Sequence, residues 1–276
     1  MAWQDLRESW RGFFKQKIFL TYARCQHCGL LYAPRYFTDA ALADLYGHMP
    51  DNSAGLAQAQ LQRTQLGYFN FLCEHADLAG DYFELGPDIG LFTQFVAARK
   101  TAGCLWLYEP NTVVHPELAR RAAGPVLHIR PEMTDFSAVP DGSISVCVMI
   151  HVLDHLPDAR GLLRQLRRKL RDDARVLIVT HDERSLLARM LGPRWPAYCL
   201  QHSQLFNRNS TRRFLAECGL RVIETRRSTN YFPASYLLKH LLFAVGLRAL
   251  AARIRGDSFV LPLRLGNIMT VARPEG

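Results

Sequence analysis

Short apolar runs alternate along this chain with segments whose apolar residues recur at helical spacing, and that alternation restricts the fold more than any other feature. The runs fall at 82–85, 105–108, 126–129, 144–150, 176–180, 221–224 and 268–271, and the segments between them include 91–98 and 162–170. Strand and helix in alternation predict a doubly wound α/β sheet. Runs such as SVCVMI at 145–150 do not alternate with polar residues, as expected of parallel strands buried on both faces.

Three regions break the rhythm. Residues 1–50 form a lead-in containing cysteines and aromatics, and a helix is expected around 56–75. Residues 181–210 form a long connection rich in Pro, Trp and His, and loops of that length are commonly functional. A third stretch, 231–256, carries apolar residues interrupted by Lys239, Arg248 and Arg253 and reads as amphipathic helix. The expected organisation is therefore a lead-in over 1–50 and a main domain over 51–276, with insertions at 181–210 and 231–256.

Composition excludes several classes. Hydrophobic residues make up 49% of 276 and charged residues 21%, enough apolar material for a core. No apolar run reaches the ~18 residues that span a bilayer, and the opening MAWQDLRESWRGFFKQK lacks a signal-peptide core. Seven cysteines, an odd number over a long chain, do not make a disulfide framework. The expectation is a reduced, cytoplasmic protein. A net charge of +9 invites anionic partners. No RNA-binding aromatic signature accompanies it, so nucleic acid is not expected as a partner.

The first strand runs into Glu84-Leu85-Gly86-Pro87-Asp88-Ile89-Gly90, with a helix directly after. A glycine loop at a strand-to-helix turn lets a ligand approach the backbone, and the helix presents free N–H groups. Glu109 closes the second strand in LWLYEP, nineteen residues past Gly90, where a carboxylate can accept both ribose hydroxyls. A dinucleotide or a nucleoside-type cofactor both satisfy these features. Asp88, in the middle of the loop, repels a pyrophosphate but suits the sulfonium and ammonium of S-adenosylmethionine. Asp also enters left-handed backbone conformations more readily than most residues.

These segments resemble the class I S-adenosylmethionine-dependent methyltransferases. E-L-G-P-D-I-G is similar to their glycine-rich first motif, PDGSIS at 140–145 to their entry into the fourth strand, and HVLDHLPD at 151–158 to the HVLEHxxD segment after it. LLRQLRRKLRDDARVLIVT at 162–180 follows the next helix and strand, with Asp172-Asp173 in place of the usual Pro-Gly-Gly turn. Arg194-Trp195-Pro196 and 202–219 continue the match, which covers residues 80–225 in order.

The resemblance implies a Rossmann-like, seven-stranded, mostly parallel sheet with an antiparallel last strand. It places Glu84, Gly86, Asp88 and Gly90 around the methionine and ribose of S-adenosyl-L-methionine and puts Glu109 on the ribose hydroxyls. The adenine amine falls to Glu132 or Asp135. The implied reaction is methyl transfer to a small-molecule, glycan or lipid-linked acceptor. Asp88 departs from the family loop, which leaves a non-catalytic module of a biosynthetic assembly as the alternative.

Cys25-Gln26-His27-Cys28-Gly29-Leu30 has the spacing of half a zinc ribbon. It also resembles the knuckle that precedes the catalytic domain in a bacterial methyltransferase group. No second Cys-x-x-Cys exists, and His27, His48, Cys73 and His75 complete no recognised spacing, so a relic turn without metal is expected. Three histidines stand where chemistry is expected. His151 ends the fourth strand, at the edge where such sheets form their crevice. His155 follows one helical turn later, and His202 lies in the long connection. Each has the chemistry of a general base near neutral pH. The aromatics Trp195, Tyr198, Tyr231, Phe232 and Tyr236, beside Arg194, Lys239 and Arg248, suit a partly apolar anionic acceptor or peripheral contact with an anionic membrane.

Overall fold

Seven strands pair into one sheet: β1 (Gly80–Leu85), β2 (Ala102–Tyr108), β3 (Val126–Arg130), β4 (Ile144–Ile150), β5 (Leu170–His181), β6 (Leu220–Arg227) and β7 (Asn267–Pro274). Their spatial order is β3-β2-β1-β4-β5-β7-β6. β1 to β5 are parallel, and β7 inserts antiparallel to β5 and β6. This is the doubly wound, Rossmann-like sheet with an antiparallel last strand that the alternation and the motif order predict. The computed structural model describes residues 3–10, 18–47, 58–244, 247–251, 253–254 and 259–275. His48 lies outside them, as do parts of the 231–256 stretch.

The central strands bury both faces, and successive residues supply two separate cores. Phe83, Trp106, Tyr108, Cys147, Met149, Val176 and Ile178 point to one side, where α4 (Ala159–Lys169) and α5 (Arg208–Ala216) pack. Tyr82, Leu105, Leu107, Val146, Val148, Leu177 and Val179 point to the other, against α1 (Gln58–Cys73), α2 (Thr93–Arg99) and α3 (His115–Arg121). With period-2 alternation and apolar residues at both phases, neither face can be left in water.

β5 starts six residues earlier than the apolar run at 176–180. Ile144 pairs with Leu170 and Val146 with Arg175, so Arg171–Ala174 bulge out against a single residue of β4. Asp172-Asp173 belong to this exposed bulge, which takes the place of the expected Pro-Gly-Gly turn. The carboxylates of Asp172 and Asp173 are exposed in this bulge and well solvated.

The lead-in and the long connection fold on each other. Ala23–Arg24, Leu31–Tyr32 and Gln204–Leu205 form a small antiparallel sheet. Trp10, Leu42 and Leu45 are buried together with Leu200. Arg24 donates to the buried carboxylate of Glu183 at 2.9 Å, and Asn207 donates to the same oxygen at 2.7 Å. Helix Asp39–Gly47 thus lies over the end of the sheet that carries His155. A second excursion leaves the sheet after β6 and returns at the same edge, where β7 begins with Asn267 paired to His181. It contains α6 (Ala234–Ala244) and a hairpin of Asn230–Pro233 with Val260–Leu263. Among the described residues no helix is long and apolar enough to cross a membrane.

Candidate active site

The loop after β1 is held in a shape that needs its glycines. Gly86 donates its N–H to Tyr108 O at 2.8 Å and has φ +69°, a left-handed conformation that a Cβ disfavours. A Cβ there would also stand 2.6 Å from Val152 Cγ2. Gly90 has φ +78°, and its Cβ would meet Leu118 Cδ1 at 2.8 Å. Asp88 sits between them at φ +52°. Aspartate tolerates that region, so the departure from glycine preserves the loop's course.

Two buried acids flank the loop. Glu84 is 2% exposed, and its Oε2 accepts from the Tyr82 hydroxyl at 2.7 Å and the Thr93 hydroxyl at 2.6 Å. Burial, aided by the nearby Glu109, pushes its carboxyl up to about 7 against those two hydrogen bonds. Glu109 accepts the backbone N–H of Asp88 on Oε2 and that of Asn111 on Oε1, each at 2.8 Å. Burial raises it too, to about 7, against those amide bonds. Two buried carboxylates this close make a site that favours a cation. Glu132 and Asp135, by contrast, are exposed beyond the end of β3. Asp135 Oδ1 accepts the Ser137 N–H at 2.9 Å, which holds its carboxyl below the usual range.

The three histidines singled out from the sequence come together, joined by a fourth. His151 and His181 have ring centroids 4.6 Å apart, His181 and His202 4.7 Å, and His202 and His155 4.7 Å. His181 ends β5, and its Nδ1 donates to Asp154 Oδ2 at 2.6 Å. Sequence reasoning missed it because no motif marks it; its place as the last residue of a strand parallel to β4 was the available signal. His151 has φ +53° and donates its N–H to Val179 O at 2.9 Å. For a residue with a Cβ this strain is sustained only by its surroundings, and such strain gathers at functional sites.

The environment separates the four rings. Burial and the neighbouring imidazoles push His151 and His155 well below the ordinary range, so both stay neutral. Burial also lowers His181, against Asp154. His202 donates from Nδ1 to Ala197 O at 2.7 Å and lies 3.4 Å from Cys199 Sγ. Burial opposes its charge, but the neighbouring Cys199 raises it to about 9. His155 Nδ1 shares a hydrogen bond with the Tyr46 hydroxyl at 2.9 Å, which brings the lead-in helix into the site. Trp195, read from the sequence as an acceptor-facing aromatic, is instead buried with Leu31, Ala197 and Leu205, its ring 6.1 Å from that of His181.

At the knuckle, Gly29 at φ +76° lets its N–H reach Cys25 O at 2.9 Å, while Cys25 donates to Leu30 O. Among the described residues no third metal-binding side chain closes on Cys25 and Cys28.

A sheet in this order, a glycine loop after its first strand and an acid closing its second define the S-adenosylmethionine-dependent methyltransferase fold. The chain matches the family model described as a methyltransferase domain over residues 57–225 and belongs to that family. It is a methyltransferase, and S-adenosyl-L-methionine is the cofactor of its class. No curated protein sequence matches it. Among solved structures it is similar to an S-adenosylmethionine-dependent methyltransferase of Leishmania major, at 14% identity and TM-score 0.57, over 95% of this chain and 99% of that one. It is also similar to magnesium protoporphyrin IX methyltransferase of Synechocystis PCC 6803 with bound SAH, at 12% identity and TM-score 0.51, over 88% and 90%. At these identities the likeness is one of fold.

Proposed function

We propose that this chain methylates a small-molecule, glycan or lipid-linked acceptor that enters over the histidine cluster at the ends of β4 and β5. The observation that carries this reading is the contact between Gly86 and Val152. It sets the turn that begins at His151 directly against the loop that would cradle the cofactor.

The residues fit S-adenosylmethionine. Gly86 packs directly against Val152, with no room for a Cβ, and its positive φ turns the loop backbone at the end of β1, where the cofactor would lie. Glu84 and Glu109 offer buried carboxylates to the ammonium and the ribose hydroxyls, Asp88 faces the same end, and Glu132 or Asp135 takes the adenine amine. When bound, the cofactor supplies an electrophilic methyl group on a sulfonium. The chain then has to position the acceptor in line and take up its proton. His155, neutral and oriented by Tyr46, is the proton acceptor; His151 shares that neutrality. His202, charged beside Cys199, orients the cluster and balances Asp154.

The excursion at 228–266 supports a partly apolar acceptor. Leu238, Leu247, Leu250 and Phe259 are exposed there, in a stretch that also carries Lys239. The Cys25–Gly29 turn is a relic of the knuckle found in a bacterial methyltransferase group, retained because it anchors the lead-in over the site. Calorimetric titration with S-adenosylmethionine, followed by radiolabelled methyl transfer into soluble and lipid-extractable fractions of a cell extract, tests the reading. Label entering neither fraction while the cofactor binds would remove the acceptor assignment.

A further inference from the structure

His151, Asp154 and His181 can each bring one donor atom to within 4.8 Å of the other two. They come from three successive features of one edge: the end of β4, the 3₁₀ turn Leu153–His155 and the end of β5. Two of their buried atoms, His151 Nδ1 and Asp154 Oδ1, have no hydrogen-bond partner among the described residues. Asp154 is fully buried. A buried polar atom left unpaired is costly, and two of them on neighbouring side chains call for something that satisfies both. His181 turns Nδ1 toward Asp154 Oδ2 at 2.6 Å, so a cation held by both would replace the proton now between them.

We propose that these three residues bind a divalent transition-metal cation, of which zinc is the probe used here. Two imidazoles and one carboxylate are a donor set for such ions, with positions left open for substrate. Magnesium, which prefers oxygen ligands and near-ideal octahedral geometry, fits less well. His151 and His181 are only half buried, which leaves the open positions access from outside the protein. They suit an acceptor with a hydroxyl or carboxylate oxygen. Acceptor binding there rests on the methyl-transfer reading above; the cation site does not. With His151 engaged, proton acceptance is left to His155.

The experiment uses the full chain carrying Cys25→Ser and Cys28→Ser, which removes the one Cys-x-x-Cys pair in the sequence. Stripped with chelator and titrated calorimetrically, it should bind one equivalent of Zn²⁺. His151→Gln and His181→Gln, checked for folding by circular dichroism, should each weaken that binding by at least about tenfold, the loss that even an outer-shell substitution causes at metal sites. The same parent loaded with Co²⁺ should show weak d–d absorption without a thiolate charge-transfer band, a readout that needs no further variant. No zinc uptake by the parent, unchanged affinity in both folded variants, or a thiolate band from Cys199 would each overturn the site. S-adenosylmethionine titrated into the same preparations keeps the two readings apart: zinc without cofactor binding sinks the methyltransferase site alone, and cofactor without zinc sinks the cation site alone.

Discussion

Gly86 and Val152 touch so closely that a Cβ on the glycine would stand 2.6 Å from Val152 Cγ2. The cofactor loop and the turn that carries the histidines are therefore one packed unit. Gly86→Ala must either push the loop into the cofactor space or push Val152, and with it His151, off the end of β4. Its positive φ adds strain that Val152 cannot relieve. We expect Gly86→Ala to weaken S-adenosylmethionine binding by at least about tenfold, equal to ~1.4 kcal/mol, with far-UV circular dichroism retained. Val152→Ala in the same chain should recover part of that loss. Two single effects that simply add in the double variant would show that the contact does not transmit the strain.

Glu109 holds the loop from its other side through the Asp88 and Asn111 amides. Glu109→Ala removes those acceptors as well as the ribose contact. Calorimetry should show a loss of about 1–3 kcal/mol in cofactor affinity, the size of a lost charge-assisted hydrogen-bond pair. Affinity equal to the unsubstituted chain would move the ribose contact elsewhere.

The raised carboxyls of Glu84 and Glu109 predict opposite pH trends for the free and bound protein. Both titrate near 7 when folded, against about 4.3 for an unfolded glutamate. Between these values the folded chain holds more protons than the unfolded chain, so the stability of the free protein falls as pH rises from about 5 through 7. A cationic cofactor prefers the ionised acids, so its affinity rises over pH 6 to 8. Urea melts and calorimetry at each pH measure the two trends. Glu84→Gln should flatten both, and parallel trends would contradict the assignment.

How much of this was legible in the sequence depends on the range of the interaction. β4 spans the residues of its apolar run, because a strand buried on both faces announces itself by composition alone. The glycine loop, Glu84 and Glu109 lie within one βαβ unit, where spacing carries geometry. The small sheet of Ala23–Arg24, Leu31–Tyr32 and Gln204–Leu205 gives no such signal, since two-residue strands have no period to read. His181 joins the cluster through the parallel pairing of β4 and β5, and Tyr46 through a lead-in that folds across more than a hundred residues. Trp195 illustrates the converse: an aromatic beside an arginine reads as a surface platform, yet tertiary packing buries it.

The lead-in's grip on the site can be loosened from a distance. Trp10 is fully buried, edge-on to Phe37 at 5.4 Å and to Tyr46 at 5.3 Å. Trp10→Ala leaves a large cavity, at a cost of about 3–5 kcal/mol for a well-packed aromatic. Tyr46 then loses its support, and its hydrogen bond to His155 loosens. The expected result is an early lead-in transition in urea melts and a fall in turnover, with cofactor affinity changed less than twofold. A single unshifted transition would show that the lead-in does not brace the site.

The excursion between β6 and β7 leaves and re-enters the sheet at the edge that holds the histidines. Arg63 stacks over the Tyr231 ring at 4.3 Å, and Phe232 stacks on Tyr236 at 5.8 Å, so part of its aromatic content is used internally. What stays exposed is apolar: Leu238 on α6, Leu247, Leu250, and Phe259 at 72%. Exposed apolar side chains in a stretch that also carries Lys239 make shallow insertion into an anionic surface favourable, each basic group adding about 1 kcal/mol near such a membrane. The protein should therefore float with vesicles containing phosphatidylglycerol at low salt. Leu247→Glu with Phe259→Glu should abolish flotation, and Lys239→Glu should reduce it severalfold, the equivalent of that ~1 kcal/mol. Protein left at the bottom of the gradient with anionic vesicles would assign these side chains to covering the crevice and leave a soluble acceptor.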